Sequence, residues 1–350
     1  MKKLLLPLVC TLLFFSCKSH SNEPDVSAIK VNLQVKRFDQ DFFAIDTNHV
    51  AEGMAALLKK YPKFLPDYVG NILGLDLDSL LVPGNPQNKG IRMFIHDYAW
   101  VKDSSDLLYK DFSPVTAQVI HALKLVKYYF PGYKLPQALI PFIGPINANF
   151  ETSFGTQGDI LTEEGLGVGL QLHLGKNFSM YHTTIGQEQY PKYLSNNFDA
   201  IHIPVNCMRN IIDDLYPDHS DGKPLVEQMV SKGRRIYLLT RFLPETPEYD
   251  CLGYDKKQWK DSYTNEAVIW NFFLDNNLLQ NSDINTTKNY IGESPKTQEL
   301  GDAAPGNIGT FAGLQIVKKY MEKYPATTLQ ELMGTDPGTI FDKAKYKPRG

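Results

Sequence analysis

The chain has 350 residues, with 36 Lys and Arg against 39 Asp and Glu, a formal net charge of −3. Its basic residues are scattered, the densest group in the body being Lys232 with Arg234 and Arg235, which argues against a nucleic-acid partner, since that would need a basic stripe. A chain this long buries a core without a disulfide scaffold, and its four cysteines are too few to build one.

Met1, Lys2 and Lys3 precede an apolar run, Leu4 to Phe15, that ends at Ser16-Cys17. A spanning helix needs ~20 apolar residues. This run is shorter and gives way to Lys18, Ser19 and His20, so residues 1–16 read as a signal peptide. The small residue directly before the cysteine makes Leu13-Phe14-Phe15-Ser16-Cys17 similar to a lipobox, with Cys17 as the lipidation site and the membrane contact made through its lipid. The alternative is a plain secretory leader that happens to end near Cys17. Pro136, Pro141, Gly144 and Pro145 break the longest later apolar run, Leu135 to Ile146. Residues 17–29 then read as a flexible polar tether and 30–350 as one globular domain. Of the cysteines, Cys10 belongs to the leader, and Cys207 and Cys251 are expected as two buried free thiols, with a disulfide between them left open.

Val31, Leu33 and Val35 alternate with polar neighbours as in a short strand, and Met54, Leu57 and Leu58 keep helical spacing up to Pro62. Val115, Val119, Ala122, Leu123 and Val126 predict a helix from about Pro114 to Phe130, stopped by Pro131-Gly132. The middle is strand-like from Leu135 to Glu151. From Asp159 onward the alternation is the clearest in the chain, with Leu166, Val168, Leu170, Leu172 and Leu174 facing one way and Gly165, Gly167, Gly169, Gln171, His173 and Gly175 the other. One side packs and the other is nearly bare. Helical stripes follow at Val205, Met208, Ile212 and Leu215, and at Leu225, Met229, Ile236 and Leu239, ended by Pro217 and Pro244. Trp259 to Leu279 reads as helix, Asn281 to Ala304 as loop and Gly306 to Tyr324 as a late helix, and Thr328 with Glu331 forms a capping box. The expected fold class is α+β, a mainly helical single domain with a small mixed sheet.

Candidate chemistry is sparse. The eight histidines include no H-E-x-x-H and no H-x-H, and His173, His182 and His202 are the one loose group to weigh as metal ligands. The Gly165, Gly167 and Gly169 run lies within a strand, so it is not a phosphate loop. Its bare face suggests a peptide-docking strand, with a helix packed on the glycines as the plainer reading. Lys232 is odd, because steps of three and four from Leu225 to Leu243 place it inside an apolar stripe. A buried ammonium needs a partner, unless its stem snorkels to water. Cys207 near His202 is a nucleophile candidate, although Pro204 intervenes.

Arg37-Phe38-Asp39 before Phe42-Phe43, the Tyr61-Pro62-Lys63-Phe64 turn, the segment Leu166 to Gly175, and Pro305-Gly306-Asn307-Ile308-Gly309 followed by Ile316-Val317-Lys318-Lys319-Tyr320-Met321 together resemble the GldB family, gliding-motility lipoproteins of Bacteroidetes. The resemblance covers essentially the whole mature chain. It implies an envelope protein needed for surface gliding, linked to the type IX secretion machinery and its protein partners, and it does not imply a biochemical activity; no cofactor is expected.

The family is in turn similar to zincin-type metalloproteases, which implies a zincin-like outline. The counterpart of the metal-binding helix is then Asn206-Cys207-Met208-Arg209-Asn210, and that of the glutamate ligand is Lys232. Metal ligation and proteolysis need imidazoles and carboxylates, so Asn206, Cys207, Asn210 and Lys232 are read as degenerate metal-site positions, with Asn206 and Asn210 as partners for the Lys232 ammonium. The expected function is a noncatalytic envelope component, and the alternative is a hydrolase, most simply a peptidase with an atypical site. The tether lacks the acidic cluster that resembles a surface-export signal, which places the body in the periplasm, at the periplasmic face of the outer membrane, with the inner membrane as the alternative.

Overall fold

The computed structural model describes residues 23–301 and 304–348, so the leader, Cys17 and the start of the tether lie outside the described residues. Packing begins upstream of Lys30, where the sequence placed the domain start. Val26 is buried in the main core. The Glu23 carboxylate meets His121 Nε2 at 2.6 Å.

Six short strands occur among the described residues: β1 (Gln34–Val35), β2 (Ala138–Phe142), β3 (Phe150–Thr152), β4 (Gly155–Gln157), β5 (Ile160–Leu161) and β6 (Leu166–Gly169). Four of them form a mixed sheet in the order β1-β2-β6-β5, in which only β5 runs antiparallel to its neighbour, while β3 and β4 make a separate hairpin. The rest is mainly helical, as the α+β expectation has it. A strand covered on both faces reads as a continuous apolar run, and Ala-Leu-Ile-Pro-Phe of β2 is buried throughout. Pro141 is tolerated there because β1 pairs only with Ala138 and Leu139 and ends before reaching it.

Side chains alternate across a strand, so the sheet separates two cores. Leu139, Leu166 and Val168 face the larger one. Ala138, Ile140 and Phe142 face a smaller one built from the N-terminal helices. Aromatic edges fill the smaller core: Phe38 stands 5.0 Å from Tyr61 at 88° and 4.7 Å from Tyr68 at 64°. Edge-to-face pairs of this kind add about 0.5–1.5 kcal/mol each beyond the area they bury.

The glycine-bearing strand differs from its sequence reading in two ways. It is shorter, since the chain turns into a single 3₁₀ turn, Leu170–Leu172, directly after Gly169. Its glycine face is also not bare. A Cβ on Gly167 would press on Phe64, Phe142 and Ile160, so the missing side chain makes room for the rings of the smaller core.

The Arg37-Phe38-Asp39 motif is a clasp. Arg37 donates through Nε and Nη2 to the two oxygens of the fully buried Asp39, at 2.9 and 2.6 Å, and through Nη1 to the Tyr109 carbonyl at 2.9 Å. Glu164 ties the sheet to the Tyr61-Pro62-Lys63-Phe64 turn: it accepts from Lys36 Nζ at 2.6 Å and from the main-chain N–H groups of Lys63 and Phe64 at 3.1 and 2.8 Å. Burial would raise its pKa, but these donors outweigh it and hold the carboxyl below its ordinary 4.5. Replacing Glu164 by glutamine is therefore expected to cost about 1.5–3 kcal/mol at neutral pH. The difference should shrink as pH falls through the depressed folded value, which denaturant unfolding at several pH values will read.

Four long helices build the larger core: Ser113–Tyr129, His202–Leu215, Leu225–Phe242 and Ile308–Lys323. The last two run side by side in backbone contact. A Cβ on Gly233 would overlap the main chain of Gly313 and Leu314, and a Cβ on Gly313 would overlap the Met229 carbonyl. Elsewhere the structure adds helices the periodicity did not show. The segment read as one helix, Trp259 to Leu279, is two, Lys256–Thr264 and Glu266–Asp275. The stretch read as loop contains Ile284–Ile291, opened by Asp283 accepting from the Asn285 N–H at 3.2 Å.

Candidate functional site

The His202–Leu215 helix carries the Asn206 to Asn210 pentad and lies against the sheet and the Leu225–Phe242 helix. Its inner side meets a buried ion pair. Asp159 accepts from the Gly169 N–H and the Asn206 amide at 2.8 and 2.9 Å, and from His173 Nε2 at 2.8 Å. The other ring nitrogen of His173 faces the Asp199 carbonyl at 3.1 Å. Both nitrogens thus face acceptors, and a neutral ring has only one N–H to give. Burial disfavours the charged ring, but the Asp159 carboxylate and the two hydrogen bonds outweigh it and raise the His173 pKa above 6.5.

Asp199 bridges to the next histidine, its Oδ1 lying 2.7 Å from His202 Nδ1. His202 Nε2 is buried without a partner, 3.9 Å from Asp250 Oδ1. His182 lies apart on the surface, bonded to the Lys176 carbonyl at 3.0 Å. The three histidines therefore do not converge, and among the described residues no group of three or more His, Cys, Asp and Glu is placed to hold a metal ion.

Lys232 reaches a partner that was not foreseen. Its Nζ donates to the Ser153 carbonyl at 2.5 Å and stands 3.8 Å from Asp218. Burial pulls its pKa down, and the charge of Asp218 works against that. Asn206 instead serves Asp159 and accepts from Arg209 at 3.3 Å, while the Asn210 amide nitrogen is buried with no partner, so neither asparagine answers the lysine. Ser153 lies in the β3–β4 turn, and its main-chain N–H and hydroxyl both donate to Asp213. Lys232 and Asp213 together pin this hairpin turn onto the helices.

Beside the hairpin lies an open cleft of about 560 Å³. It adjoins an inner chamber of about 320 Å³. Phe154, Arg209, Leu252, Glu293 and Asn307 line both. Arg209 sits inside the pentad that the sequence singled out, but its role was missed, as was that of Glu293. The usable signal was a lone arginine in an otherwise neutral helical turn. Cys207 is fully buried in the larger core, and burial pushes its thiol well above the usual range, so it is no nucleophile for His202. Cys251 is buried and also unpaired, its thiol pushed up to about 12 by burial. Strand addition at Gly165, Gly167 and Gly169 is likewise excluded by placement, because β6 is held by β2 on one side and β5 on the other and offers no free edge.

No curated protein and no solved structure matches the chain. A family model does, that of the gliding motility protein GldB lipoproteins, over residues 19–348. That span takes in the Arg37–Asp39 clasp, the glycine strand, the cleft and both helices in backbone contact. The chain belongs to the GldB family of gliding-motility lipoproteins.

Proposed function

We propose that the protein is a noncatalytic, lipid-anchored component of the gliding apparatus and of the type IX secretion machinery, acting through protein partners from the periplasmic face of the outer membrane. The fold is taken as a degenerate zincin-like one. What supports this reading is the work done by the residues that the resemblance to zincins assigns to its centre. Asn206 holds Asp159, Cys207 fills the core, and Lys232 clasps a hairpin turn, so each is engaged in building the fold. None of them presents the carboxylate and imidazoles that metal-assisted hydrolysis requires.

In a gliding strain lacking its own copy, Cys207→Ala is expected to restore gliding as fully as the wild-type chain. Cys17→Ala, which removes the acylation site, is expected to abolish gliding at equal protein abundance. A Cys207→Ala strain that fails to glide with normal protein levels would overturn the reading. So would stoichiometric zinc in protein purified without added metal. Tagged protein isolated from native membranes should bring envelope components with it.

A further inference from the structure

The wall shared by the cleft and the chamber contains a cation, Arg209, on which Glu293, Asp213 and Asp159 act through their charge but with which none of the described carboxylates forms a close ion pair. Arg209 lies over the Phe154 ring at 5.5 Å. Its two hydrogen bonds go to neutral oxygens and are long, 3.3 Å to Asn206 Oδ1 and 3.3 Å to the Cys251 carbonyl, and its Nε is buried without a partner. A guanidinium stays charged even when burial lowers its pKa, as it does here. Arg235 on the neighbouring helix shows what a completed site looks like, with Asp213 at 2.8 Å. Glu293 shares the wall with Arg209 but is bonded to the Thr156 N–H at 3.1 Å, and burial raises its pKa although Thr156 and the Arg209 charge work against that.

Two further groups open onto the same space. The sixteen-residue helix Ile308–Lys323 starts there without a side-chain cap, because Asn307, in the left-handed region at φ 55°, turns its Oδ1 to the Thr310 hydroxyl instead of to a main-chain N–H. The Thr310 N–H is bonded to the Asn307 carbonyl at 3.1 Å, and the start contributes the positive end of the helix dipole. His202, only 5% exposed, lines the outer cleft with its Nε2 3.9 Å from Asp250 Oδ1 and without a hydrogen bond. The acids around this space, among them Glu151, Asp199 and Asp250, are matched by bases that include Lys176, Lys232, Arg235 and Lys256, so the lining offers no excess of positive charge for a doubly charged ligand. The chamber wall is mostly polar and charged, with Glu151, Lys232 and Arg235 in it, and Ile236, Leu252 and Ile291 supply the apolar surface against which a short hydrocarbon body could lie.

We propose that Arg209 and the start of the Ile308–Lys323 helix form a binding site for monocarboxylates, with the carboxylate on the guanidinium and a short apolar body in the chamber. This goes beyond the proposed function and holds whether or not the protein hydrolyses anything. Its probe is hexanoate, titrated calorimetrically into the full-length protein, with 1-hexanol and hexyl phosphate as comparisons. Hexanoate is expected to bind saturably, at least about tenfold tighter than either comparison. Arg209→Gln should weaken it by at least about tenfold. If that variant fails to fold by circular dichroism, Ile291→Phe fills the chamber and leaves the guanidinium in place, and it should lose hexanoate while keeping acetate. Hexanol binding as well as hexanoate, hexanoate binding unchanged in Arg209→Gln or in Ile291→Phe, or no binding up to about 10 mM would each overturn the site.

Discussion

Gly313→Ala is expected to destabilise the protein by about 3 kcal/mol, the upper end of what overpacking a tight core costs. The reason is that the added methyl meets main chain rather than a movable side chain. The Met229 carbonyl of the facing helix occupies its position, so the two helices must separate along their whole contact for it to fit. Gly233→Ala, which overlaps Gly313 and Leu314 from the other side, should cost a similar amount, and the double variant less than the sum, because one separation relieves both overlaps. Gly334 is the control. Nothing lies within 4 Å of a Cβ built there, and it ends the Leu329–Gly334 helix. Alanine at that position should be neutral or stabilising by up to about 1 kcal/mol. Chemical denaturation followed by circular dichroism separates the cases. Equal midpoints for Gly313→Ala and Gly334→Ala would show that the helices are not locked in this way.

The second large effect concerns the buried ion pair. Asp159→Ala leaves the His173 imidazolium without a counter-ion and the Gly169 N–H and Asn206 amide without an acceptor, and it is expected to cost about 3–5 kcal/mol. Its pH dependence has a definite sign. Folding raises the His173 pKa, so the pair's contribution is complete below the unfolded value of about 6.5 and is lost as pH rises through the folded value. Asp159→Asn keeps most of the hydrogen bonding but removes the charge, and burial then pulls the His173 pKa down against Asp199 only. The stability gap between wild type and Asp159→Asn should therefore be widest at mildly acid pH and narrow as pH rises above about 6.5. A gap that is flat from mildly acid to alkaline pH would mean that His173 is neutral in the fold.

These two features differ in how far the sequence discloses them. The helices Leu225–Phe242 and Ile308–Lys323 follow from apolar spacing, and so does the misfit of Lys232 within its stripe. The lysine's partner does not follow, because the Ser153 carbonyl is supplied by a hairpin far earlier in the chain, and main-chain acceptors leave no trace in residue type. The glycine strand was misread for a similar reason. Alternating glycines are compatible both with an exposed face and with one that admits rings, and only the distant Phe64 and Phe142 decide between them. The Ile284–Ile291 helix was hidden by its polar composition, with Asp283 as the one local cue. Arg209 and Glu293 meet at the cleft from separate segments, and the pentad containing Arg209 drew attention to its asparagines instead.

The glycine-locked helix pair also has a mechanical side. Its final turns, with Tyr237 and Arg241 on one helix and Lys318 and Met321 on the other, lie beside Glu23 and Pro24, where the described chain begins. Its other stretch, through Lys232, Arg235, Asn307 and Thr310, forms the wall of the chamber. Ile308–Lys323, about 24 Å long, runs between them without a break. Backbones seated this closely have no lubricating layer of side chains on which to slide. The chain at residue 23 and the cleft thus lie at opposite ends of one stiff strut.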